Sequence, residues 1–255
     1  MPFVGSAPFV GSCISIVCYL FVWTTYQRCA DVRRHPNNMI IAQSIYGFLC
    51  VCQYIATAAA SDDRIWWNDL NATTGSDGTG TCVSVPTGSQ SSDLCGGLAF
   101  VNQFSQLGSE LWFLAIAHDL RCALTNPFVS SKSEHKKNSI YIVLLSLISG
   151  GALLAAGNDV YGLTCNKVCW IQERSHGVPG RYQTLFFFAW VFMIYVYALV
   201  VMVQAYCRLG EGLPETLKVR KLYIKRSMWY VLGYAMYWFI PLLLTVYVYI
   251  QQHIF

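Results

Sequence analysis

Apolar residues along the chain fall into six long runs that are separated by shorter polar segments. The runs are Phe9–Gln27, Met39–Ala60, Gly97–Leu120, Ser139–Gly157, Tyr182–Tyr206 and Ser227–Ile250. A helix needs roughly 20 apolar residues to cross about 30 Å of hydrocarbon, whereas the strands of a membrane barrel alternate over about ten residues. Since backbone polar groups in lipid must be satisfied within the segment, continuous runs predict helices. We therefore expect an all-α, polytopic membrane helix bundle of six spans, forming a single transmembrane domain over residues 1–255.

The composition agrees with a bilayer environment. The chain is 55% hydrophobic, 15% aromatic and 12% charged, and soluble domains carry about 25% charged residues. The first run is longer than the apolar region of a signal peptide, and no Lys or Arg precedes it, so we interpret it as the first span.

The basic residues are distributed unevenly between the gaps that separate the runs. Thirteen of the 17 Lys and Arg side chains lie in the first, third and fifth gaps. Because cytoplasmic loops are enriched in Lys and Arg, these gaps are predicted to be cytoplasmic and the N-terminus extracellular. The net charge of +4 then reflects membrane topology. We expect an integral protein of the plasma membrane that does not bind nucleic acid.

The second and fourth gaps carry features of extracellular loops. Asn71 begins an Asn-Ala-Thr sequon and is a candidate glycosylation site. Cys82, Cys95, Cys165 and Cys169 also lie here, where an oxidising exterior favours disulfides. Four cysteines allow three pairings, and the sequence does not choose among them. The remaining cysteines lack metal-site spacing, so we expect no metal.

Polar side chains form a stripe along the third run. It comprises Asn102, Gln103, Gln106, Glu110, His118, Asp119 and Arg121. Most are spaced by three or four residues, which places them on one helix face. Since ionisable groups at membrane depth usually face the bundle interior or a cavity, the third helix is predicted to be central. Its outer part would line a ligand cavity and its inner part would be a coupling site. Interhelical hydrogen bonding is the alternative for the glutamines, and an ordinary interfacial flank is the alternative for the inner residues.

Two further features are a proline inside the sixth run and a basic segment in the gap before it. Pro241 is well inside the run, three residues after Trp238, and proline removes a backbone hydrogen bond and kinks a helix. This predicts a hinge, with simple packing as the alternative. The fifth gap is strongly basic and includes Arg220 and Lys221. Its charges would attract anionic membrane lipid.

Together these motifs resemble a G-protein-coupled receptor, closest to the cyclic-AMP-receptor-like group that borders the secretin and adhesion class. Cys95 at the outer start of the third run and the Cys169-Trp170 pair resemble the family's cysteine pattern. The resemblance implies a Cys95–Cys169 disulfide, which leaves Cys82 and Cys165 as the candidate second pair.

The inner end of the third run and the sixth run also resemble the family. Asp119-Leu120-Arg121 followed by Asn126-Pro127-Phe128 is similar to its coupling segment, and Trp238 with Pro241 is similar to its aromatic-x-x-Pro hinge. The Asn-Pro-Phe form is also similar to receptors fused to a phosphatidylinositol phosphate kinase domain. The family has seven helices, so the six runs predict either a chain lacking the seventh helix or a six-helix variant.

The resemblance implies a receptor that passes an extracellular signal to a heterotrimeric G protein or another cytosolic transducer. The candidate ligand pocket is then Asn102, Gln103, Gln106, Glu110, Trp170 and Trp238. The candidate coupling residues are His118, Asp119, Arg121, Asn126, Pro127, Phe128, Arg220 and Lys221. The ligand itself is not indicated by the residues.

Other functional classes fit the sequence less well. A small transporter or channel is the first alternative, although the two halves of the chain show no similarity of the kind found in many transporters. An enzyme is not expected, because the histidines do not cluster for metal catalysis and no serine has a nucleophile-elbow pattern. A retinal sensor needs a lysine within a span, and the six runs contain none. We expect no cofactor, and a non-signalling six-helix variant is the second alternative.

Overall fold

The computed structural model describes residues 6–29, 37–60, 91–125, 131–156, 160–163, 168–171, 181–208 and 217–254. Five helices in this part of the chain are uninterrupted: α1 Ser6–Arg28, α2 Asn37–Ala60, α3 Ser91–Thr125, α4 Ser131–Ala155 and α6 Leu217–Ile254. Helix α5 begins as Arg181–Gln183, passes through a π-helical turn at Thr184–Phe188, and continues as Ala189–Arg208. Between α4 and α5 lie two short strands, β1 Tyr161–Leu163 and β2 Cys169–Ile171. All six predicted runs coincide with these helices.

Helix α3 is central, as its polar stripe predicted. It packs against α2, α4, α5, α6 and both strands, while α1 packs on α2 and α5 on α6. The main apolar core is built around α3, where Leu107, Phe113 and Leu120 are fully buried. Asn102 and Gln103 on the same helix are equally buried. The interior of the bundle therefore mixes apolar and polar side chains.

Within the residues that the structure describes, four helices are long and apolar enough to cross a membrane. The qualifying segments are Val10–Arg28, Asn37–Thr57, His135–Ala155 and Thr184–Cys207. Large apolar side chains also point outward. On α1, Val10, Ile14, Val17 and Phe21 follow one helix face and are between 53% and 70% exposed. A soluble monomer rarely exposes contiguous apolar surface on this scale, so these features are those of an integral membrane protein.

Helices α3 and α6 differ from the other four in their polarity. The stripe from Asn102 to Arg121 lowers the apolar content of α3, and its neighbours cover the outer part, where Asn102, Gln103 and Glu110 are buried. Helix α6 contains a shorter apolar segment, Met228–Leu244, and continues through Pro241. Helix α3 is surrounded by four helices and both strands, whereas α6 packs on α3 and α5 and exposes Trp229, Met236 and Ile240.

A β-hairpin covers one end of the bundle, and the all-α prediction did not include it. Strands β1 and β2 pair antiparallel, with Gly162 opposite Trp170. Cys169 forms a disulfide with Cys95 at the start of α3, so the pairing implied by the family resemblance is present. Tyr161 donates a hydrogen bond to the Gly150 carbonyl on α4 (3.1 Å). We call this the disulfide end of the bundle, and the end near Arg121 the opposite end.

Candidate functional site

A cavity of about 650 Å³ opens inside the bundle toward the disulfide end. Its volume falls in the range of small-molecule sites, about 300–1,000 Å³. The wall is formed by α1, α2, α3, α6, the π turn of α5 and strand β2. The lining residues with polar side chains are Ser12, Ser15, Tyr19, Gln43, Cys50, Tyr54, Gln106, Ser109, Glu110, Trp170, Tyr234, Tyr237 and Trp238. Four predicted pocket residues, Gln106, Glu110, Trp170 and Trp238, are thus brought together.

Gln103 lies outside the cavity wall and joins three other elements to α3. Its Nε2 donates to Ser149 Oγ on α4 (3.2 Å) and to the Phe186 carbonyl in the π turn (3.1 Å). Its Oε1 accepts from the Trp170 indole N–H (3.0 Å). Because both ends of the amide are used, Gln103 orients Trp170 in the wall. This is the interhelical role considered as its alternative.

Asn102 is also outside the wall and links α3 to the hairpin. Its Nδ2 donates to the Cys169 carbonyl (3.4 Å), and its Oδ1 accepts from Gln106 Nε2 (3.1 Å). Gln106 also donates to the Tyr54 hydroxyl on α2 (2.8 Å). The Cys169 carbonyl receives a second bond, from Gln53 Nε2 (3.2 Å). The disulfide and these amides together hold β2 against the cavity.

Glu110 is the carboxylate of the cavity wall, and it connects α3 to α6. It is 8% exposed, and its Oε2 accepts a hydrogen bond from the Tyr234 hydroxyl. The Tyr234 ring stacks on Phe113, with ring centroids 3.4 Å apart and planes within 10°. The same tyrosine is therefore fixed by a hydrogen bond and by ring packing to two residues of α3.

Tyr230, one helical turn before Tyr234, makes a parallel connection to α2. Its hydroxyl donates to Gln43 Oε1, and its ring lies 5.9 Å from that of Phe113. Residues four apart lie on one face of a helix, so Tyr230, Tyr234 and Trp238 form one inward face of α6. Ligand contact with this face would act directly on the position of α6.

Aromatic rings close the cavity near the hairpin. Phe187 of the π turn packs against Trp170 (centroids 5.1 Å apart) and against Trp238 (5.9 Å). The buried Trp238 Nε1 lies near the Glu110 carboxylate but makes no hydrogen bond of normal geometry within the described part of the chain. Burying an indole N–H without an acceptor is costly, so this group is suited to bind an acceptor atom of a ligand. The site offers an indole N–H, a carboxylate, several hydroxyl groups and aromatic surfaces.

The candidate coupling residues lie at the opposite end of α3. His118 is exposed, with Nδ1 3.0 Å from the Tyr197 hydroxyl and Nε2 3.5 Å from Cys122 Sγ. Asp119 is half-buried and Arg121 exposed. These residues are far from the cavity, because 1.5 Å of rise per residue puts Arg121 about 16 Å along the axis from Glu110.

Several predicted sites lie outside the described residues. They are Asn71, Cys82, Cys165, Asn126, Pro127 and Phe128. The backbone of Arg220 and Lys221 lies in the first turn of α6, but their side chains are also outside the description. The second disulfide, the glycosylation site and this part of the coupling segment stay predictions.

The sequence interpretation missed Tyr234, which lies in the cavity wall, and Tyr230, which joins α6 to Gln43 on α2. Tyr230 and Tyr234 precede Trp238 at steps of four, a spacing that predicts a shared face. Gln43 is an isolated amide in an otherwise apolar part of α2. Both signals were available. The π turn that places Phe187 and Phe188 in the wall had none, since TLFFF fits any apolar helix.

No family model and no curated protein matches the sequence. Within the described helices and strands, no three His, Cys, Asp or Glu side chains come together as metal ligands would. The function must therefore be argued from the cavity and its connection to α6.

We expect Glu110 and Tyr234 to be energetically coupled. Tyr234→Phe and Glu110→Met should each destabilise the protein by about 1–2 kcal/mol, because each leaves one buried partner unsatisfied. The double variant should lose less than the sum, with a coupling of about 0.6–1.7 kcal/mol, the range of interhelical hydrogen bonds in membranes. Unfolding by SDS in mixed micelles measures all three.

The parallel pair, Gln43 and Tyr230, provides the matched control. Gln43→Met and Tyr230→Phe should couple to each other. Combining Glu110→Met with Gln43→Met, which share no hydrogen-bond partner in the structure, should be additive within about 0.5 kcal/mol. Equal coupling within and across the pairs would show that the substitutions act through general loosening of α6, and would contradict a specific contact.

Proposed function

We propose that this chain is the transmembrane part of a G-protein-coupled-receptor-like protein at the cell surface, with its N-terminus outside and six spans. It would pass an extracellular signal to a heterotrimeric G protein or another cytosolic transducer. The observation that carries the proposal is that the cavity wall contains the contact between Glu110 on α3 and Tyr234 on α6. A ligand in the cavity can therefore act on a helix that reaches the opposite end.

The orientation rests on chemistry at the two ends. The disulfide end carries the Cys95–Cys169 bond, and disulfides persist in oxidising, extracellular surroundings. Arg28, Arg121, Lys136 and Lys137 are exposed on helix ends at the opposite side. Basic residues favour the cytoplasmic side. Both arguments put the cavity within reach of an extracellular ligand.

The proposed mechanism is a population shift between two positions of α6. A ligand whose acceptor atom binds the Trp238 N–H and whose donor binds Glu110 competes with Tyr234 for the carboxylate. Such a ligand binds better to the arrangement in which Tyr234 has moved, and it shifts the population by that difference in affinity. Pro241 supplies no backbone N–H one turn beyond Tyr237, so α6 is easier to bend there. Movement of α6 would then change the surface that the inner ends of α3 and α6 together present to the transducer.

The proposal predicts that the chain accelerates nucleotide exchange on a heterotrimer. The full chain in lipid nanodiscs would be mixed with purified heterotrimers of each Gα class, and binding of a non-hydrolysable GTP analogue followed. We expect at least one class to exchange faster than with empty nanodiscs. Arg220→Gln with Lys221→Gln should lower that rate severalfold, because rim charges mainly govern association.

Arg28→Gln is the matched control, since it removes a basic side chain at the same end from α1. It should leave the exchange rate unchanged, and surface expression of all variants should be equal. No acceleration with any heterotrimer would contradict G-protein coupling and favour the non-signalling six-helix variant. Passage of small solutes through chain-containing liposomes would instead favour the transporter or channel.

A further inference from the structure

A second concave surface lies on the outside of the bundle, between α3, α4 and α5. It has a volume of about 500 Å³ and is lined by Leu111, Leu114, Ala115, His118, Arg121, Asn138, Tyr141, Ile142, Leu145 and Tyr197. We call it the α3–α4–α5 groove. None of these residues belongs to the wall of the central cavity, so the two sites are separate.

The groove is divided sharply by polarity. Leu111, Leu114 and Ala115 on α3, with Ile142 and Leu145 on α4, form an apolar floor. The polar lining groups are gathered toward the opposite end of the bundle, where His118 and Arg121 meet Asn138, Tyr141 and Tyr197. An occupant must therefore have an apolar body and a polar head placed at the end of α3.

The length of the groove matches one leaflet of a bilayer. From Leu111 to Arg121 the axis of α3 rises by about 15 Å, and the hydrocarbon core of a bilayer is about 30 Å thick. A lipid chain lying on the leucines from the middle of the membrane would thus bring its headgroup to the level of Arg121. A polar, water-soluble ligand would gain no binding free energy from contact with the apolar floor.

The charge at the polar end favours an anionic headgroup. Arg121, in the groove wall, presents a guanidinium, which forms forked hydrogen bonds with phosphate oxygens. Lys136 and Lys137 are exposed near the same end of α4 but are not part of the groove wall. The Tyr197 hydroxyl and His118 are 3.0 Å apart and add hydrogen-bonding groups. Asp119 is two residues from Arg121, so it points to another side of α3, and it is not part of the groove wall.

We propose that the α3–α4–α5 groove binds one anionic phospholipid of the adjacent leaflet, with its phosphate at Arg121 and an acyl chain along Leu111, Leu114 and Leu145. This site differs from the basic residues at the start of α6, such as Arg220 and Lys221, which the sequence predicts to contact anionic lipid or a transducer. Because Tyr197 belongs to α5 and His118 to α3, the bound lipid would also hold these two helix ends together.

Native mass spectrometry of the full chain in detergent can count bound lipids directly. Phosphatidylglycerol and phosphatidylcholine with identical acyl chains are compared at limiting concentration. We expect one phosphatidylglycerol to be retained about tenfold more tightly than phosphatidylcholine, because both lipids carry a phosphate but the choline cation of phosphatidylcholine is repelled by Arg121. Arg121→Gln should remove this preference. Leu114→Trp should fill the groove and weaken retention of both lipids.

Lys136→Gln is the control, because it removes a nearby charge that is not part of the groove wall; it should leave the preference unchanged. An equal fall in Lys136→Gln and Arg121→Gln would mean general surface attraction and would overturn the proposal. Retention of both lipids at equal strength would also overturn it, as would full retention by Leu114→Trp. Excess inorganic phosphate should fail to displace phosphatidylglycerol, and complete displacement would identify a site for soluble phosphate instead.

Discussion

Replacing Cys95 or Cys169 by serine is expected to lower the free energy of unfolding by about 4 kcal/mol. The bond joins residues separated by 74 positions, and closing a loop of this length removes about that much entropy from the unfolded chain. Thermal or SDS unfolding in lipid–detergent micelles measures the loss. Such a change is at the large end for single substitutions, so we also expect reduced surface expression.

The disulfide variants should affect the cavity as well as stability. The Cys169 carbonyl accepts from Gln53 and Asn102, and the next residue, Trp170, belongs to the cavity wall. Without the bond, β2 is held by weaker contacts alone. Cys18→Ser, an exposed cysteine of α1 that is not in a disulfide, is the control. If it destabilises the chain as much as Cys95→Ser, the disulfide makes no special contribution.

The positions of the helices could be predicted because the membrane imposes a simple length rule. A run such as Met39–Ala60 has no alternative in lipid to a helix, and α2 occupies Asn37–Ala60. The hairpin formed by Tyr161–Leu163 and Cys169–Ile171 was not predictable in the same way. Its strands have three residues each and depend on the disulfide and on packing against α3, which are distant in sequence.

The sequence predicted those residues of the candidate site whose position depends on α3 alone. Gln106 and Glu110 share a face of α3, and both reach the cavity. Gln103 shares the stripe but is used by Ser149, Phe186 and Trp170. Helical spacing alone cannot separate an amide that lines a cavity from one that joins helices. That distinction depends on which elements surround the helix.

Close packing of α2 on α3 depends on Gly108, and Gly108→Ala is expected to destabilise the chain by about 1–3 kcal/mol. A methyl group at this position would overlap the ring of Tyr46. Tyr46 cannot move freely, because it is buried and also packs against Phe104 with ring centroids 5.4 Å apart. Small residues at membrane-helix interfaces allow such close approach. Unfolding in mixed micelles measures the loss.

Gly97→Ala on the same helix is the matched control. Gly97 is exposed, and a methyl group there would meet nothing within 4 Å. Alanine favours a helix over glycine by up to about 1 kcal/mol, so this change should be neutral or stabilising. The two substitutions are chemically identical and should differ in sign. Equal effects would contradict the close contact at Gly108.

The Gly108 contact also determines the width of the cavity. Gln43, Gly47, Cys50 and Tyr54 follow the face of α2 that lines it, next to the residue that packs on Gly108. Displacing Tyr46 would move this face away from Glu110 and lengthen the link from Gln43 to Tyr230 on α6. We therefore expect Gly108→Ala to weaken the coupling between Gln43 and Tyr230 in a double-mutant cycle, while Gly97→Ala leaves it intact. The absence of a side chain at Gly108 thus affects both the packing of α2 on α3 and the position of α6, the helix that would transmit the signal.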